Sequence, residues 1–186
     1  TVAFNGPAAS DVSIGAQDVS LFKFSMTAAD QAVEVRRLAV TLDGTAAADE
    51  MSDDDSGSQV NFFTDIKVKD ADTGAVLMGP QEITATGDVT GVQTFTFTDS
   101  WNLEAGKTRN LLITSDLRNT TDTDLVDNGY QVTLVAFTDA SVREVSTGQY
   151  LTAATDIVGA GSTNIAGNTM TVRSSALTVN MAAVPA

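Results

Sequence analysis

Apolar and polar residues alternate along much of this chain, and a period of two predicts β-strands. The longest runs of this kind lie at residues 22–26, 38–42 and 130–134. Shorter runs lie at residues 2–4, 33–35, 66–68, 95–97, 111–113, 170–172 and 177–181. No segment of ten or more residues keeps an apolar period of 3.6, so the pattern predicts about ten strands and no long helix.

Turn sequences separate these apolar runs. Residues 70–74 (DADTG) predict a hairpin with its glycine in the left-handed conformation. The alternation changes phase at Arg36 and Arg37, which predicts a β-bulge or a strand that passes from one sheet to another. Residues 28–35 and 139–146 predict one short helical turn each.

Regularly spaced short strands joined by polar turns are typical of an all-β fold, here an antiparallel β-sandwich of Ig-like or jelly-roll-like type. The chain of 186 residues can bury a core of its own. The acidic loop at 44–59 and the glycine-rich loop at 156–168 are too short to link domains, so we predict a single domain over residues 1–186. Trp101 and the eight phenylalanines are the predicted core anchors.

The composition excludes several kinds of site. The chain has no Cys and no His, which excludes disulfides, thiolate metal sites, Ser-His-Asp and Cys-His catalysis and most zinc sites. Its net charge of -14 makes nucleic acid and anionic membranes poor partners and attracts cations, Ca²⁺ above all. A solvated acidic surface that keeps an exported protein soluble explains the same charge.

No apolar run approaches the roughly 20 residues that a membrane helix needs, so we predict no membrane insertion. The sequence starts at Thr1 without a basic and apolar signal peptide, and we interpret it as a mature or excised segment.

The two ends of the chain resemble each other. Residues 1–8 read TVAFNGPA and residues 178–186 read TVNMAAVPA, with the proline displaced by one position. Two edge strands of one sandwich explain this likeness. Alternatively, the C-terminal segment is the same strand of the next unit, either in a tandem array or donated to a neighbouring subunit. Segments 1–8 and 177–186 are therefore candidate inter-subunit or inter-module strands, with these inward-facing residues: Val2, Phe4, Leu177, Val179 and Met181.

Two acidic loops could bind a metal. Carboxylates at short spacing beside a turn glycine are the hard oxygen ligands that Ca²⁺ prefers, although neither loop has EF-hand spacing. The candidate ligands are Asp122, Asp124 and Asp127 in one loop, and Asp53 and Asp55 in the other, which Asp49 and Glu50 could join. An ordinary solvated loop explains each cluster as well. No cofactor is required by this sequence.

Asn119 opens the only Asn-x-Ser/Thr sequon, which is a candidate glycosylation site in an exported protein. Paired carboxylates could form a glycosidase dyad, but the acidic residues cluster in turns with few aromatic residues nearby to stack a sugar. We therefore predict that the chain is not an enzyme.

Several phrases carry a family resemblance: VSIGAQDVSLFKFSMTA, the strand DIKV with its DADTG hairpin, LEAGKTRNLLITSDL and GYQVTLVAF. They resemble β-sandwich (Ig-like) modules of large prokaryotic surface and S-layer-like proteins and of extracellular filament subunits. This resemblance implies an extracellular or cell-surface structural role, and it carries no catalytic residues.

The sequence thus predicts a subunit or module of an extracellular filament or surface layer, with copies of itself as partners, joined head-to-tail through a terminal strand. The alternative is a module of a larger adhesin that binds a carbohydrate or another surface protein. That alternative requires an exposed aromatic platform built from Tyr130, Tyr150 or Trp101.

Overall fold

A computed structural model describes residues 1–46, 49–53, 60–84, 87–119 and 125–174, and it shows an all-β protein. One large sheet has five strands, in spatial order β1 (Val2–Gly6), β3 (Val19–Thr27), β12 (Thr108–Leu117), β8 (Phe63–Asp70) and β9 (Val76–Gln81). The second runs β10 (Gln93–Phe97), β5 (Leu38–Gly44), β13 (Gly129–Leu134), β16 (Met170–Arg173) and β2 (Ser10–Ser13), and β15 (Ile165–Ala166) also pairs with β13.

Two small sheets and one helical turn complete the described part. The three-stranded sheet consists of β11 (Trp101–Leu103), β4 (Val33–Val35) and β14 (Val142–Glu144), and the two-stranded sheet of β6 (Ser52–Asp53) and β7 (Val60–Asn61). The helix α1 spans Ala153–Asp156. The strand pairs of the described residues are antiparallel except for β2 and β16, which run parallel.

The alternating side chains meet between the two large sheets. Phe22 and Phe24 of β3 are fully buried, and the alternate apolar residues of β5 and β13 are buried with them: Leu38, Val40, Leu42, Tyr130, Val132 and Leu134. The ring of Phe63 in one sheet lies 4.7 Å from the ring of Tyr130 in the other, in an edge-to-face arrangement. The buried apolar residues form one continuous cluster, as expected of a β-sandwich.

The phase change at Arg36 and Arg37 is a change of sheet. β4 ends at Val35 in the three-stranded sheet, and β5 begins at Leu38 in a large sheet. The N–H groups of both arginines donate to the carbonyl oxygen of Ser141, at 2.8 and 3.2 Å. Of the two predicted causes of the phase change, passage of the chain from one sheet to another is therefore correct.

The predicted hairpin at residues 70–74 is confirmed as the connection between β8 and β9. Gly74 has φ +74°, and its N–H donates to the Asp70 carbonyl oxygen at 2.8 Å. The Asp70 carboxylate accepts the N–H groups of Asp72 and Thr73 at 3.0 and 2.9 Å. The turn is thus closed by both the backbone and the side chain of Asp70.

The two predicted helical turns are wrong. Residues 28–35 contain β4 and residues 139–146 contain β14, and these two short strands pair with each other. The described residues form their one helical turn at α1 instead. Both segments were too short for the apolar period to separate strand from helix.

Candidate functional site

The N-terminal strand β1 lies at an edge of the five-stranded sheet and pairs with β3 of the same chain. Val2 lies opposite Met26 and Phe4 opposite Phe24. Val2 is buried, and the half-buried ring of Phe4 lies 5.1 Å from the ring of Phe22. Both predicted assembly residues of this strand therefore pack onto the sandwich of their own chain.

The other predicted assembly residues (Leu177, Val179 and Met181) lie outside the described residues. In the part of the chain that is described, no second strand pairs with the outer edge of β1. Only the start of that edge is covered, because the Val2 N–H donates to the Val158 carbonyl oxygen at 2.8 Å. Gly159 approaches so closely that an added Cβ would lie 2.0 Å from the Val2 carbonyl oxygen.

An apolar groove opens beside the first residues of β1. Its volume is about 220 Å³, and Thr1 and Val2 form part of its wall. We call it the apical groove, and its apolar lining includes Val2, Met26, Ala28, Leu103, Ile157 and Val158. Ala28 is buried and small, whereas Val158 is 64% exposed at the rim. A groove of this kind suits an apolar side chain.

Thr1 and the apical groove mark one end of the sandwich, which we call the N-terminal pole. The Thr1 amino group donates to the Thr27 carbonyl oxygen at 2.9 Å. The Thr27 N–H donates in return to the Thr1 carbonyl oxygen, also at 2.9 Å. Thr27 in turn lies opposite Thr108, the first residue of β12. The start of β12 is therefore at the same pole as Thr1.

Arg173, the last residue of β16, lies at the opposite end of the sandwich, which we call the exit pole. Leu117, the last residue of β12, donates its N–H to the Ala16 carbonyl oxygen at 2.8 Å. Two residues earlier, the Ile14 N–H donates to the Arg173 carbonyl oxygen at 3.0 Å. Because β12 has ten residues, Thr1 and Arg173 are separated by on the order of 30 Å along the strands.

Ion pairs hold Arg173 at the exit pole. Its guanidinium lies 2.6 Å from the Asp127 carboxylate and 3.3 Å from that of Asp11. The hydrogen bond with Asp127 and the charge of Asp11 raise the pKa of Arg173. Asp127, a predicted metal ligand, is thus engaged with an arginine, while Asp122 and Asp124 of the same predicted site lie outside the described residues.

The structure places one other predicted ligand, Asp53, in an acidic cluster. Carboxylate oxygens of Glu50, Asp53 and Asp88 all lie within 4.8 Å of one another. Backbone hydrogen bonds create this proximity, since the Met51 N–H donates to the Val89 carbonyl oxygen at 2.8 Å. Three carboxylates so close repel one another unless a proton or cation intervenes, and oxygen ligands suit Ca²⁺.

The neighbouring acidic residues do not all join this cluster. Asp49 is buried, and its carboxylate accepts the N–H of Ala46 at 2.8 Å within the loop after β5. Asp55 lies outside the described residues. Sequence reasoning missed Asp88, because only the non-local bridge between Glu50 and Thr90 brings its segment to the cluster.

The remaining candidate positions differ in exposure. Asn119 is exposed, and the rest of its sequon lies outside the described residues. Tyr130 is buried, and its hydroxyl donates to the Glu50 carbonyl oxygen at 2.6 Å. Trp101 is also buried, with the guanidinium of Arg109 over its ring. Of the three aromatic residues considered for a binding platform, only Tyr150 is exposed.

The carboxyl groups with resolved pKa shifts in the described chain all have a lowered pKa. Hydrogen bonds from Lys67 and Lys69 lower the pKa of Asp18, and the guanidinium of Arg143 lowers that of Glu34. Burial alone would raise the pKa of Asp70, but the surrounding N–H groups and Arg109 lower it overall. A glycosidase acid needs the opposite, a carboxyl with a raised pKa.

No family model matches the chain, and no curated protein matches it significantly. Within the ranges the structure describes, no helix is long and apolar enough to cross a membrane.

Proposed function

We propose that this chain is a structural subunit or module of an extracellular filament or surface layer, joined head-to-tail to further copies through a terminal β-strand. One observation carries the proposal. Thr1, beside β1, and Arg173, the last residue of β16, lie at opposite poles of the sandwich, and residues 1–4 and 178–181 share the pattern Thr-Val-x-apolar.

Because the two poles lie at opposite ends of the sandwich, translation of one copy along its strands is enough to bring it into head-to-tail contact with the next. In a head-to-tail row of copies, the exit pole of one copy would face the N-terminal pole of the next. A contact of this heterologous kind does not close on itself unless its rotation forms a ring, so repetition gives a linear polymer. The edge position of β1 supplies the sheet on which another strand can form ladder hydrogen bonds.

The extracellular location is supported by the resemblance to prokaryotic surface modules and by the acidic, Cys-free composition. The lowered pKa values of the ion-paired carboxyls favour a structural role for these groups over acid catalysis. Burial of Tyr130 and Trp101 removes two of the three residues on which an aromatic sugar-binding platform would rest, so the adhesin alternative is the weaker proposal.

Removing residues 177–186 tests the proposal directly. The paired strands of the two large sheets lie within residues 2–173, so we expect the truncated chain to remain folded and monomeric. The full chain should form regular fibres or sheets in negative-stain electron microscopy as its concentration rises. Fibres of the same form from the truncated chain would show that the terminal strand is not the joint.

A matched pair of substitutions sharpens this test. Val179→Asp places a charge at an inward position of the donated strand, whereas Thr178→Asp places the same charge at the neighbouring outward position. We expect Val179→Asp to abolish the fibres and Thr178→Asp to retain them. Equal behaviour of the two variants would contradict a β-strand joint.

A further inference from the structure

A polar cavity lies between the end of β11 and the start of β12, at the N-terminal pole. Its volume is about 360 Å³, and its wall consists of Asn102, Leu103, Glu104, Lys107, Thr108 and Arg109. The whole wall comes from residues 102–109, all of which the structure describes. A cavity of this size has room for one ligand of about the size of a monosaccharide.

Backbone hydrogen bonds fix the turn that carries this wall. The Lys107 N–H donates to the Glu104 carbonyl oxygen at 3.1 Å, and the Lys107 carbonyl oxygen accepts the Ala28 N–H at 3.1 Å. Gly106 has φ +69° and donates its N–H to the Ala28 carbonyl oxygen at 2.9 Å. The cavity is therefore formed before any ligand arrives, which reduces the entropy cost of binding.

Arg109 brings donors without acceptors to this cavity. Its guanidinium lies over the ring of Trp101, 5.0 Å from the ring centre, and its Nε lies 3.3 Å from the Asp70 carboxylate. Among the described residues, the guanidinium makes this one ion pair and no hydrogen bond, although it carries five N–H donors. The indole N–H of Trp101 is buried and also has no acceptor within the described ranges. The ring and the aspartate thus hold Arg109 in place and leave donors for an acceptor in the cavity.

The charges around the cavity differ from those of the chain as a whole. Acidic residues outnumber basic residues by 24 to 10 in the sequence, yet the cavity wall holds two basic residues and one acidic residue. In the part of the chain that the structure describes, neither Lys107 nor Glu104 forms an ion pair. The local excess of positive charge and of N–H donors favours a ligand that carries a carboxylate.

We propose that the polar cavity binds a uronic acid, a sugar-sized ligand with one carboxylate and several hydroxyls. The planar fork of Arg109 matches a carboxylate, and Lys107 adds a second positive charge beside it. Asn102 and Glu104 supply an amide and a carboxylate for the sugar hydroxyls, which both donate and accept hydrogen bonds. Because Trp101 is buried beneath Arg109, this recognition uses charge and hydrogen bonds in place of aromatic stacking. The site goes beyond the proposed structural role and does not depend on assembly.

Glu104 distinguishes a uronic acid from a phosphate as the ligand. A phosphate group carries about -1.5 to -2 charges at pH 7, so this carboxylate would repel it more strongly than it repels a single carboxylate. A sugar hydroxyl donates a hydrogen bond to a carboxylate and thereby satisfies it. A hydroxylated monocarboxylate is therefore the better match to the complete set of polar groups in the wall.

Fluorescence of Trp101, the single tryptophan of the chain, reports binding because Arg109 lies over its ring. Titration of the full chain with glucuronate should change the emission in a saturable way, with a Kd on the order of 1 mM. Glucuronamide, in which a neutral amide replaces the carboxylate, should bind at least about tenfold more weakly. Equal binding of glucuronate and glucuronamide, or no saturable binding of glucuronate by fluorescence and calorimetry, would overturn the proposal.

Two further probes define the ligand class. Inorganic phosphate should bind more weakly than glucuronate, and tighter binding of phosphate would contradict the role given to Glu104. The methyl glycoside of glucuronate separates the two sources of this chemistry. It should bind like glucuronate if the site accepts a residue of a polysaccharide, and it should fail to bind if the site accepts only the free acid.

Substitutions in the wall test the assignment of each residue. Arg109→Lys keeps the charge but loses the planar fork, so it should weaken glucuronate binding about 10- to 100-fold. Lys107→Gln should weaken it about 2- to 5-fold. The matched control is Arg118→Gln, which removes the same charge from an exposed residue outside the cavity and should leave binding unchanged. Glu104→Gln removes the repulsion and should improve the binding of phosphate relative to glucuronate.

The control variants keep this test decisive if Arg109→Lys disturbs the fold through Asp70 and Trp101. Lys107 and Arg118 are both exposed, so urea denaturation of their variants should match that of the wild type. Equal affinity of Lys107→Gln and Arg118→Gln for glucuronate would show that the ligand does not occupy the polar cavity.

Discussion

Gly159→Ala should loosen β1 specifically. Gly159 has φ +99°, and an added Cβ would lie 2.0 Å from the Val2 carbonyl oxygen, which is backbone and cannot rotate away. The strained conformation costs about 1–2 kcal/mol for a residue with a Cβ. Displacement of β1 would also break the hydrogen bond from the Val2 N–H to the Val158 carbonyl oxygen, a further loss of about 0.5–1.5 kcal/mol. We therefore expect the free energy of unfolding to fall by about 1.5–3.5 kcal/mol in urea denaturation.

Gly148→Ala separates the two contributions to this loss. Gly148 also has a positive φ, +72°, but an added Cβ would meet no atom within 4 Å. Its substitution should therefore cost only the conformational strain, about 1–2 kcal/mol. Hydrogen exchange at the amide of Val2 should accelerate in Gly159→Ala and stay unchanged in Gly148→Ala. Equal losses of stability in the two variants would refute the argument that residue 159 clamps β1.

Two further predictions concern carboxylates. Asp70→Asn should lower the free energy of unfolding by about 1–3 kcal/mol at pH 7, because this buried carboxylate accepts two N–H groups of the turn. The pKa of Asp70 is lowered in the folded protein, so this contribution is present above the ordinary aspartate pKa of about 3.9 and is lost as the pH falls through the lowered pKa. Urea curves of the two proteins should therefore converge at a pH low enough to protonate Asp70 in the folded protein. If the acidic cluster binds Ca²⁺, 10 mM Ca²⁺ should stabilise the protein by about 1–3 kcal/mol, for a Kd of about 0.1–1 mM. Asp88→Asn should remove that gain and Asp30→Asn should not, while a melting temperature unchanged by chelator in the wild type would exclude the site.

Local patterns predicted much of the sandwich. The alternation in β3, β5 and β13 indicated which side chains are buried, because one face of each strand packs on the core. The phase change at Arg36 and Arg37 marked a change of sheet for the same reason. The hairpin after Asp70 followed from its turn sequence alone, since the glycine and the aspartate each have a local role there.

Features that depend on distant segments could not be predicted. The apical groove is formed by residues from β1, β3, β11, β14 and the chain around α1, and no short sequence pattern records their convergence. Asp88 reaches Glu50 and Asp53 only through backbone hydrogen bonds between separate loops. The failed helical turns have a related cause, because β4 and β14 are strands through pairing with distant segments: β4 lies between β11 and β14.

The placement of Thr1 and Arg173 at opposite poles determines how the molecule would respond to a mechanical load. A pulling force applied through the two ends runs parallel to β1 and β16, whereas ladder hydrogen bonds lie across the strands. The bonds between β1 and β3, and those between β16 and β2, are then sheared together instead of being opened one at a time. Rupture must then break several bonds in a single step, so a load applied between Thr1 and Arg173 would be borne by the folded sheets.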